Sequence, residues 1–426
     1  MDKHRTKPAN IKIWDVIVIG GGPAGMMAAG RAAEKGAGVL LIEKNAKLGK
    51  KLLITGGGRC NVTNAEPDTR ALLAKFKESR EFLFSSFSRW GVQETLDFFN
   101  SRGMPTKIEE EKRVFPASER AESVWSVLVE YIKQGNVTVL SNSPAIGFIS
   151  KENKIEAVKL KNGGSIRGSS FILAAGGKSR PETGSTGDGF LWLKSLGHKV
   201  AEPDPVLVPV KIGDPWVKKL QGVSLQNIKL TVLQNNAKQE VKKGKLLFTH
   251  FGVSGPTVLN MSKQIGELLK YGETVLSLDL LPAFDHGALN TKLQTLFREE
   301  SNKKIKNSLK MLIPSAIAPI AMDLSGINPD TFCHSITRRE RIRLIETLKN
   351  IPMNITGLLG ASKAVVTSGG VALTEVDFKT MRSRLFSNLY LIGDILDINR
   401  PSGGYSLQLC WTTGFIAGDS AATEIF

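Results

Sequence analysis

Residues 16–25 read VIVIGGGPAG, and the fold is decided there. Val16, Ile17, Val18 and Ile19, with Ile13 just ahead of them, make an apolar run rich in β-branched residues. The run has too few polar positions for a strand with one wet face, which places it centrally in a parallel sheet. It leads into GxGxxG, formed by Gly20, Gly22 and Gly25. The first glycine permits a tight turn, and the second lets the backbone approach a pyrophosphate with no Cβ in the way. The third lets the next helix lie close on the strand, so that its N-terminus, at Pro23 and Ala24, faces the anion. The helical pattern MMAAGRAAEKG stops near Gly36, and a second apolar strand over residues 39–42 ends in Glu43. That carboxylate stands about 20 residues past the first glycine, where an acid can bond ribose hydroxyls. A lone glycine motif is weak evidence, but strand, glycines, helix, strand and acid in this order specify a dinucleotide site.

A chain of 426 residues has room for two or three domains. Its apolar and charged fractions, 41% and 23%, are those of a soluble globular protein. No apolar run reaches the length of about 18 residues that spans a bilayer. The basic N-terminus before an apolar segment is not read as a signal peptide, because Asp15 interrupts it and the segment serves as the first strand. A cytoplasmic protein is therefore expected. Cys60, Cys333 and Cys410 lie far apart without a CxxC, which argues for three free thiols and against a disulfide framework, a zinc site or a dithiol pair. No metal site is expected. The net charge of +17 comes from scattered clusters, among them Lys242, Lys243 and Lys245, and Arg338, Arg339, Arg341 and Arg343. With no aromatic stacking motif beside them they read as a solubilising surface, with a nucleic-acid partner as the alternative. The sequence does not fix an oligomeric state.

Residues 43–64 read EKNAKLGKKLLITGGGRCNVTN. Three successive glycines cannot hold a stable helix or strand, so the backbone at 56–58 turns sharply or presses on something flat. Arg59, Asn61, Thr63 and Asn64 offer hydrogen-bonding groups suited to a polar ring edge and a ribityl chain. The segment resembles the signature EKxxxxGKKLxITGGGRCNxTN of the bacterial HI0933-like, or BaiN-type, NAD(P)/FAD-dependent oxidoreductases, and the resemblance extends over most of the chain. It implies that the first glycine motif with Glu43 and Lys44 binds the ADP half of a tightly held, non-covalent FAD. It also implies that Gly57, Gly58, Arg59, Cys60 and Asn61 approach the flavin. With no partner cysteine near, Cys60 reads as a small residue packed beside the cofactor and not as a redox thiol.

Residues 70–135 alternate helical patterns with the extended RVFPAS and receive no chemical role. Hairpin signals at 151–154 and 162–164 mark the three-stranded crossover that joins the halves of glutathione-reductase-type FAD domains. Residues 171–175 return to the parallel sheet and end at Ala175, Gly176 and Gly177. The loop AAGGKSRPETGSTGDGF is similar to the family's GGKSxPxTGSxGDGY, with Thr186 where the family has aspartate. Thr183, Ser185 and Asp188 are expected to cap the following helix. From Pro203 short strand patterns and a lysine-rich hairpin suggest a small β-barrel, and residues 256–349 read as amphipathic helices. One of these should bury Ile342, Ile345 and Leu348 on one face.

The resemblance places barrel and helices over the flavin as the substrate side. It makes THFGVSGP, residues 249–256, the most specific part of the insert, with His250 as the one histidine read as facing the active site. No other catalytic residue is identified. Near the C-terminus a strand over 389–392 ends at Gly393 and Asp394, and Gly403, Gly404 and Tyr405 open a helix carrying a small-residue stripe of Gly414, Ala417, Gly418 and Ala421. A distant strand ending in GD is how FAD proteins of this type add a second carboxylate, which favours FAD over NAD. The family more often has glutamate at 394, asparagine at 406 and a glycine-bearing loop around 399–401.

The expected fold is therefore α/β: a discontinuous Rossmann-like FAD-binding domain over 1–202 and 365–426, a β-barrel substrate domain over 203–255 and 350–364, and a helical insert over 256–349. The expected function is FAD-dependent oxidoreduction of a small organic substrate, with NAD(P)H as a candidate reductant. A tRNA-associated flavoprotein and a flavin-free NAD-dependent dehydrogenase are the alternatives.

Overall fold

The first strand forms where the β-branched run predicts it. In a computed structural model describing residues 12–360, 362, 364 and 366–424, β1 is Trp14–Ile19 and four of its side chains are buried. Ile13 lies outside the strand and is exposed. Helix α1 (Pro23–Glu34) packs back on β1, and β2 (Val39–Ile42) pairs with β1 in parallel. Helix α2 (Ala121–Gln134) precedes β3 (Thr138–Leu140), which pairs with β2. The crossover is β4 (Ala145–Lys151), β5 (Lys154–Leu160) and β6 (Ser165–Leu173), with turns at both expected places. β6 has two roles. Its first half closes the antiparallel hairpin with β5, and its second half runs parallel to β1. The late strand β7 (Leu389–Leu391) pairs in parallel with β6 on the side away from β1. The sheet is therefore discontinuous in sequence, with β2, β1, β6 and β7 side by side and all pointing the same way.

The last helix, α3 (Tyr405–Thr423), is buried along most of its length. A Cβ at Gly414 or Gly418 would fall 2.6 Å from the Ala24 carbonyl or 2.4 Å from that of Ala28, so the small-residue stripe is what allows α3 to press on α1. The polar groups beyond the triple glycine anchor the same helix. Thr63 donates to Gln408 Oε1 at 2.6 Å, Asn64 donates to the Glu111 and Gly403 carbonyls, and Trp411 donates to the Val62 carbonyl at 2.9 Å. Thr63 and Asn64 are thus consumed by packing and not by a ring edge or a ribityl chain, contrary to expectation.

The chain divides into two compact units, Met1–Pro205 with Val365–Phe426, and Val206–Ala364. Of the expected domain spans, residues 1–11, 361, 363, 365, 425 and 426 lie outside the described residues. The second unit holds a closed six-stranded barrel, ordered Val210–Ile212, Gly252–Ser254, Ala237–Thr249, Ser224–Gln234, Thr274–Asp279, Ile351–Leu358. Thr274–Asp279 was expected among helices. Its short run TVLSLD has no decisive period, and it supplies the barrel strand between Ser224–Gln234 and Ile351–Leu358. Barrel and helices share one apolar core, from Val210 and Phe248 to Leu293 and Leu344. In the helix Arg338–Lys349 the buried face is Leu344, Ile345 and Leu348, whereas Ile342 is exposed. A reciprocal cap between Thr337 and Glu340 starts that helix.

Candidate functional site

Where the parallel strands end, the first unit opens into a cleft lined from Ile19 and Glu43 to Asp394 and Cys410. Three strand spacings, about 14 Å, separate the end of β2 from the end of β7. Glu43 and the Gly393–Asp394 pair therefore mark the two ends of an elongated site, with the glycine turn between them.

The three motif glycines do different things. A Cβ at Gly20 would lie 2.4 Å from the Ala174 carbonyl, and one at Gly25 only 1.9 Å from the Gly20 carbonyl. These two are demanded by packing. A Cβ at Gly22 would meet nothing within 4 Å, so the space above it is open. Gly22 caps α1 with Pro23 as the first helical residue, and no acidic side chain occupies the first turn. The positive end of the helix dipole is thus left to whatever anion the cleft holds.

Glu43 is buried and its carboxylate is pinned on both oxygens. The Gly21 N–H donates to Oε2 at 2.8 Å, and Asn45 donates to Oε1 from its backbone at 2.8 Å and its side chain at 2.7 Å. Beside it Lys44 Nζ reaches Thr186 Oγ1 at 2.7 Å and Asp188 Oδ2 at 3.0 Å. Burial alone would raise the Asp188 pKa, but Thr186 and Lys44 outweigh it and hold the group below its ordinary value. The expected caps of the following helix are not formed. Gly187 is its N-cap, with no side-chain hydrogen bond, and Thr183 turns back to the Arg180 carbonyl.

At the other end Asp394 lines the cleft with Lys51, Ser406 and Cys410. Lys51 Nζ lies 3.3 Å from Asp394 Oδ2 and donates to Ser179 Oγ at 2.8 Å. Arg400 donates through Nη2 to Asp394 Oδ1, through Nε to Ser406 Oγ at 3.0 Å, and through Nη1 to the Ile398 carbonyl at 2.7 Å. Burial pushes the Asp394 carboxyl up, yet Arg400 and Lys51 bring it below the ordinary value, so it is a carboxylate at neutral pH. Burial, aided by Asp394, pushes the Cys410 thiol up to about 12.

Of the residues singled out in the sequence, Gly20, Gly22, Pro23, Ala24, Glu43, Lys44, Ala175, Gly176, Gly393 and Asp394 line the cleft. Gly25 and Gly177 sit just behind it in close packing, the latter against Thr367. Gly403, Gly404 and Tyr405 do not line it. Gly404, with φ of +100°, presses on the Thr63 backbone at a spot where a Cβ would be 2.3 Å away. Gly57, Gly58, Arg59, Cys60 and Asn61 are also outside the lining, which takes Thr55 and Leu52 from that segment instead. Arg59 faces Glu109 at 2.5 Å and lies over the Phe115 ring at 4.1 Å. Cys60 is fully buried with its thiol pushed up to about 12, so it is no thiolate. Asn61 Oδ1 is a buried acceptor with no partner among the described residues. His250 is an exposed residue of the second unit, edge-on to Phe251 with centroids 4.8 Å apart. Among the described residues no cluster of His, Cys, Asp and Glu could hold a metal ion, and no helix is long and apolar enough to cross a membrane. All three cysteines are free and buried.

Sequence reasoning missed Lys51 and Thr55, whereas position 406, singled out there, does line the cleft. Lys51 belongs to the quoted GKKL motif, but nothing local reveals that it reaches across to a carboxylate 343 positions later.

The cleft suits an elongated, partly anionic cofactor: a helix N-terminus above an open cradle, with a fixed carboxylate at each end. The family model for the HI0933-like protein Rossmann domain matches residues 14–420. The chain is 31% identical over 402 residues to the ribosomal RNA dihydrouridine synthase of Escherichia coli K12, covering 94% of this chain and 96% of that protein. It is 31% identical over 416 residues to the 3-dehydro-bile acid delta(4,6)-reductase of Clostridium scindens, covering 95% and 98%. In fold it is similar to the 3-ketosteroid-delta4-(5alpha)-dehydrogenase of Rhodococcus jostii RHA1, with a TM-score of 0.54 at 15% identity over 98% of this chain and 99% of that one. Both ends of the Rossmann unit and the insert between them fall within the family match, and the chain belongs to the HI0933-like family of FAD-dependent oxidoreductases.

Proposed function

We propose that the chain holds one FAD non-covalently in this cleft and reduces a carbon–carbon double bond conjugated to a carbonyl group, with NADH or NADPH as electron donor. The observation that carries the reading is the convergence on one cleft of the Gly20–Ala24 turn and the Gly393–Asp394 pair, which are far apart in sequence. The first turn of α1 takes the diphosphate, with the backbone free to approach at Gly22. Glu43, locked by Gly21 and Asn45, orients the ribose of the adenosine half, and Lys44 lies beside it. Ala175 and Gly176 with Gly393 and Asp394 take the ribityl side. Gly25, Gly177, Gly403, Gly404 and Tyr405 support these positions from behind. Leu52 and Thr55 line the ring end, and Gly57 to Asn61 back them from outside the lining. Bound FAD supplies hydride transfer, and the protein supplies orientation, hydrogen bonds and exclusion of water.

The substrate class is supported by two relatives. One is named for making dihydrouridine, the other for reducing the delta(4,6) double bonds of a 3-dehydro bile acid. Both names denote saturation of a double bond conjugated with a carbonyl. RNA as the carrier of that double bond is the second reading, resting on the name of one relative and on the charge of +17. Exposed Lys211, Lys218, Lys219, Lys238 and Lys243 of the second unit are available to phosphates.

Purified protein should retain flavin absorption at roughly 375 and 450 nm through gel filtration. NADH or NADPH should bleach it, and an enone or a uridine-containing RNA should restore it. A colourless protein that takes up no FAD refutes the reading. RNA binding that does not weaken as salt rises refutes the RNA form of it, leaving the small-molecule enone.

A further inference from the structure

At the Gly393 end of the cleft three ionisable side chains meet and their charges do not cancel. Asp394 is the single carboxylate, with Lys51 at 3.3 Å and Arg400 hydrogen-bonded to its other oxygen. The Arg400 side chain is 1% exposed, and its other donors are engaged by Ser406 Oγ and the Ile398 carbonyl, so the guanidinium is fixed in place. Asp394, Arg400 and Lys51 are also the charges that act on the neighbouring Cys410 thiol. The set carries one net positive charge, and Lys51, Asp394 and Ser406 face the cleft. A fixed charge so sheltered is little weakened by salt and acts through a lower dielectric than water.

We infer that this uncompensated cation sets the redox poise of the bound flavin. Two electrons and one proton turn the neutral oxidised ring into an anion at neutral pH, so a nearby positive charge favours the reduced form and raises the midpoint potential. The inference rests on the FAD reading above. Lys51 and Arg400 act here as tuning residues, not as donors or acceptors of the transferred hydride. A purely structural role for the cluster makes a different forecast: any substitution would weaken oxidised and reduced FAD alike.

The experiment compares wild type with Lys51→Met, Lys51→Arg and Asp394→Asn. The midpoint potential is measured by reductive titration against dyes of known potential. By linkage the shift equals the change in the ratio of affinities for reduced and oxidised FAD. A variant that purifies without flavin is therefore read by titrating it with FAD in each state. Lys51→Met should lower the reduced-to-oxidised affinity ratio about tenfold, or about 30 mV for a two-electron couple. Asp394→Asn should raise it, and Lys51→Arg should leave it at the wild-type value. An unmoved ratio in Lys51→Met, or shifts of the same sign in Lys51→Met and Asp394→Asn, would overturn the inference. A wild type that binds FAD with an unmoved ratio in the variants sinks only this inference, whereas a wild type that binds no FAD sinks the reading beneath it.

Discussion

Replacing Gly22 by valine separates binding from folding. The backbone at Gly22 has φ −78° and ψ −175°, an extended conformation that valine adopts without strain. Its Cβ would project into space empty of protein atoms out to 4 Å. The folded state should therefore lose only the difference between glycine and valine as an N-cap, about 0.5–1 kcal/mol. That is about 1–4 °C in the melting temperature of a unit this size. The cofactor should fare far worse. A diphosphate kept away from the first turn of α1 forfeits charge-assisted hydrogen bonds to backbone N–H groups, at about 1.5–3 kcal/mol each. Two such bonds amount to about 3–6 kcal/mol, or a fall in FAD affinity of about 10²- to 10⁴-fold. Flavin content of the purified variant and the melting curve of FAD-stripped protein test the two halves separately. Gly25→Ala is the control with the opposite signature, because its Cβ would sit 1.9 Å from the Gly20 carbonyl and must move backbone. It should lose about 1–3 kcal/mol of stability whether or not FAD is present. A fully flavin-loaded Gly22→Val protein would refute the assignment of that open space to the diphosphate.

Gly418→Ala should cost about 1–3 kcal/mol, since its Cβ would fall 2.4 Å from the Ala28 carbonyl, and a urea midpoint lowered with an unchanged m-value would record it. Ser383 Oγ accepts from the Leu385 and Phe386 N–H groups and so donates to His198 Nε2, leaving Nδ1–H for Glu375 at 3.0 Å. Burial lowers the His198 pKa from its ordinary 6.5 more than Glu375 raises it. The unfolded chain then binds the proton more readily. The stability contributed by the neutral ring is complete above about pH 6.5 and is lost as pH falls through the depressed folded value. Urea midpoints between pH 8 and pH 5 should fall more steeply in wild type than in His198→Gln, and parallel curves would contradict this. Cys60 and Cys410, with thiols pushed up to about 12, should resist iodoacetamide at pH 8 in the folded protein and react once it is unfolded. Rapid labelling of the native state would show that one of them is exposed.

How far the sequence could be read follows from the range of each signal. β1, the glycine turn, α1, β2 and Glu43 were legible because period, turn chemistry and spacing are all local, and within 30 residues they agree. The barrel strand Thr274–Asp279 was not, because six residues of mixed period acquire strand character only by pairing with Ser224–Gln234 and Ile351–Leu358. The triple glycine gave a sharp turn, with φ of +56°, +69° and +89° at 56–58. That turn does not aim the following polar side chains into the cleft. It sends Arg59 towards Glu109 and the Thr63–Asn64 strand under α3.

The departures from the family pattern at Arg400 and at Ser406 look independent along the chain. In space they are one interaction, because Arg400 Nε donates to Ser406 Oγ while Nη2 binds Asp394, an aspartate where the resemblance more often implies glutamate. An arginine there needs a small acceptor at 406 and a carboxylate short enough to leave it room. A hydroxyl and an aspartate meet both needs where an amide and a glutamate would crowd the guanidinium. The positions should therefore be coupled: Ser406→Asn alone should cost more, in flavin affinity or stability, than Ser406→Asn together with Arg400→Gly. A double-mutant cycle on Arg400→Gly and Ser406→Asn measures that difference, and an interaction energy below about 0.5 kcal/mol would show the positions to be independent.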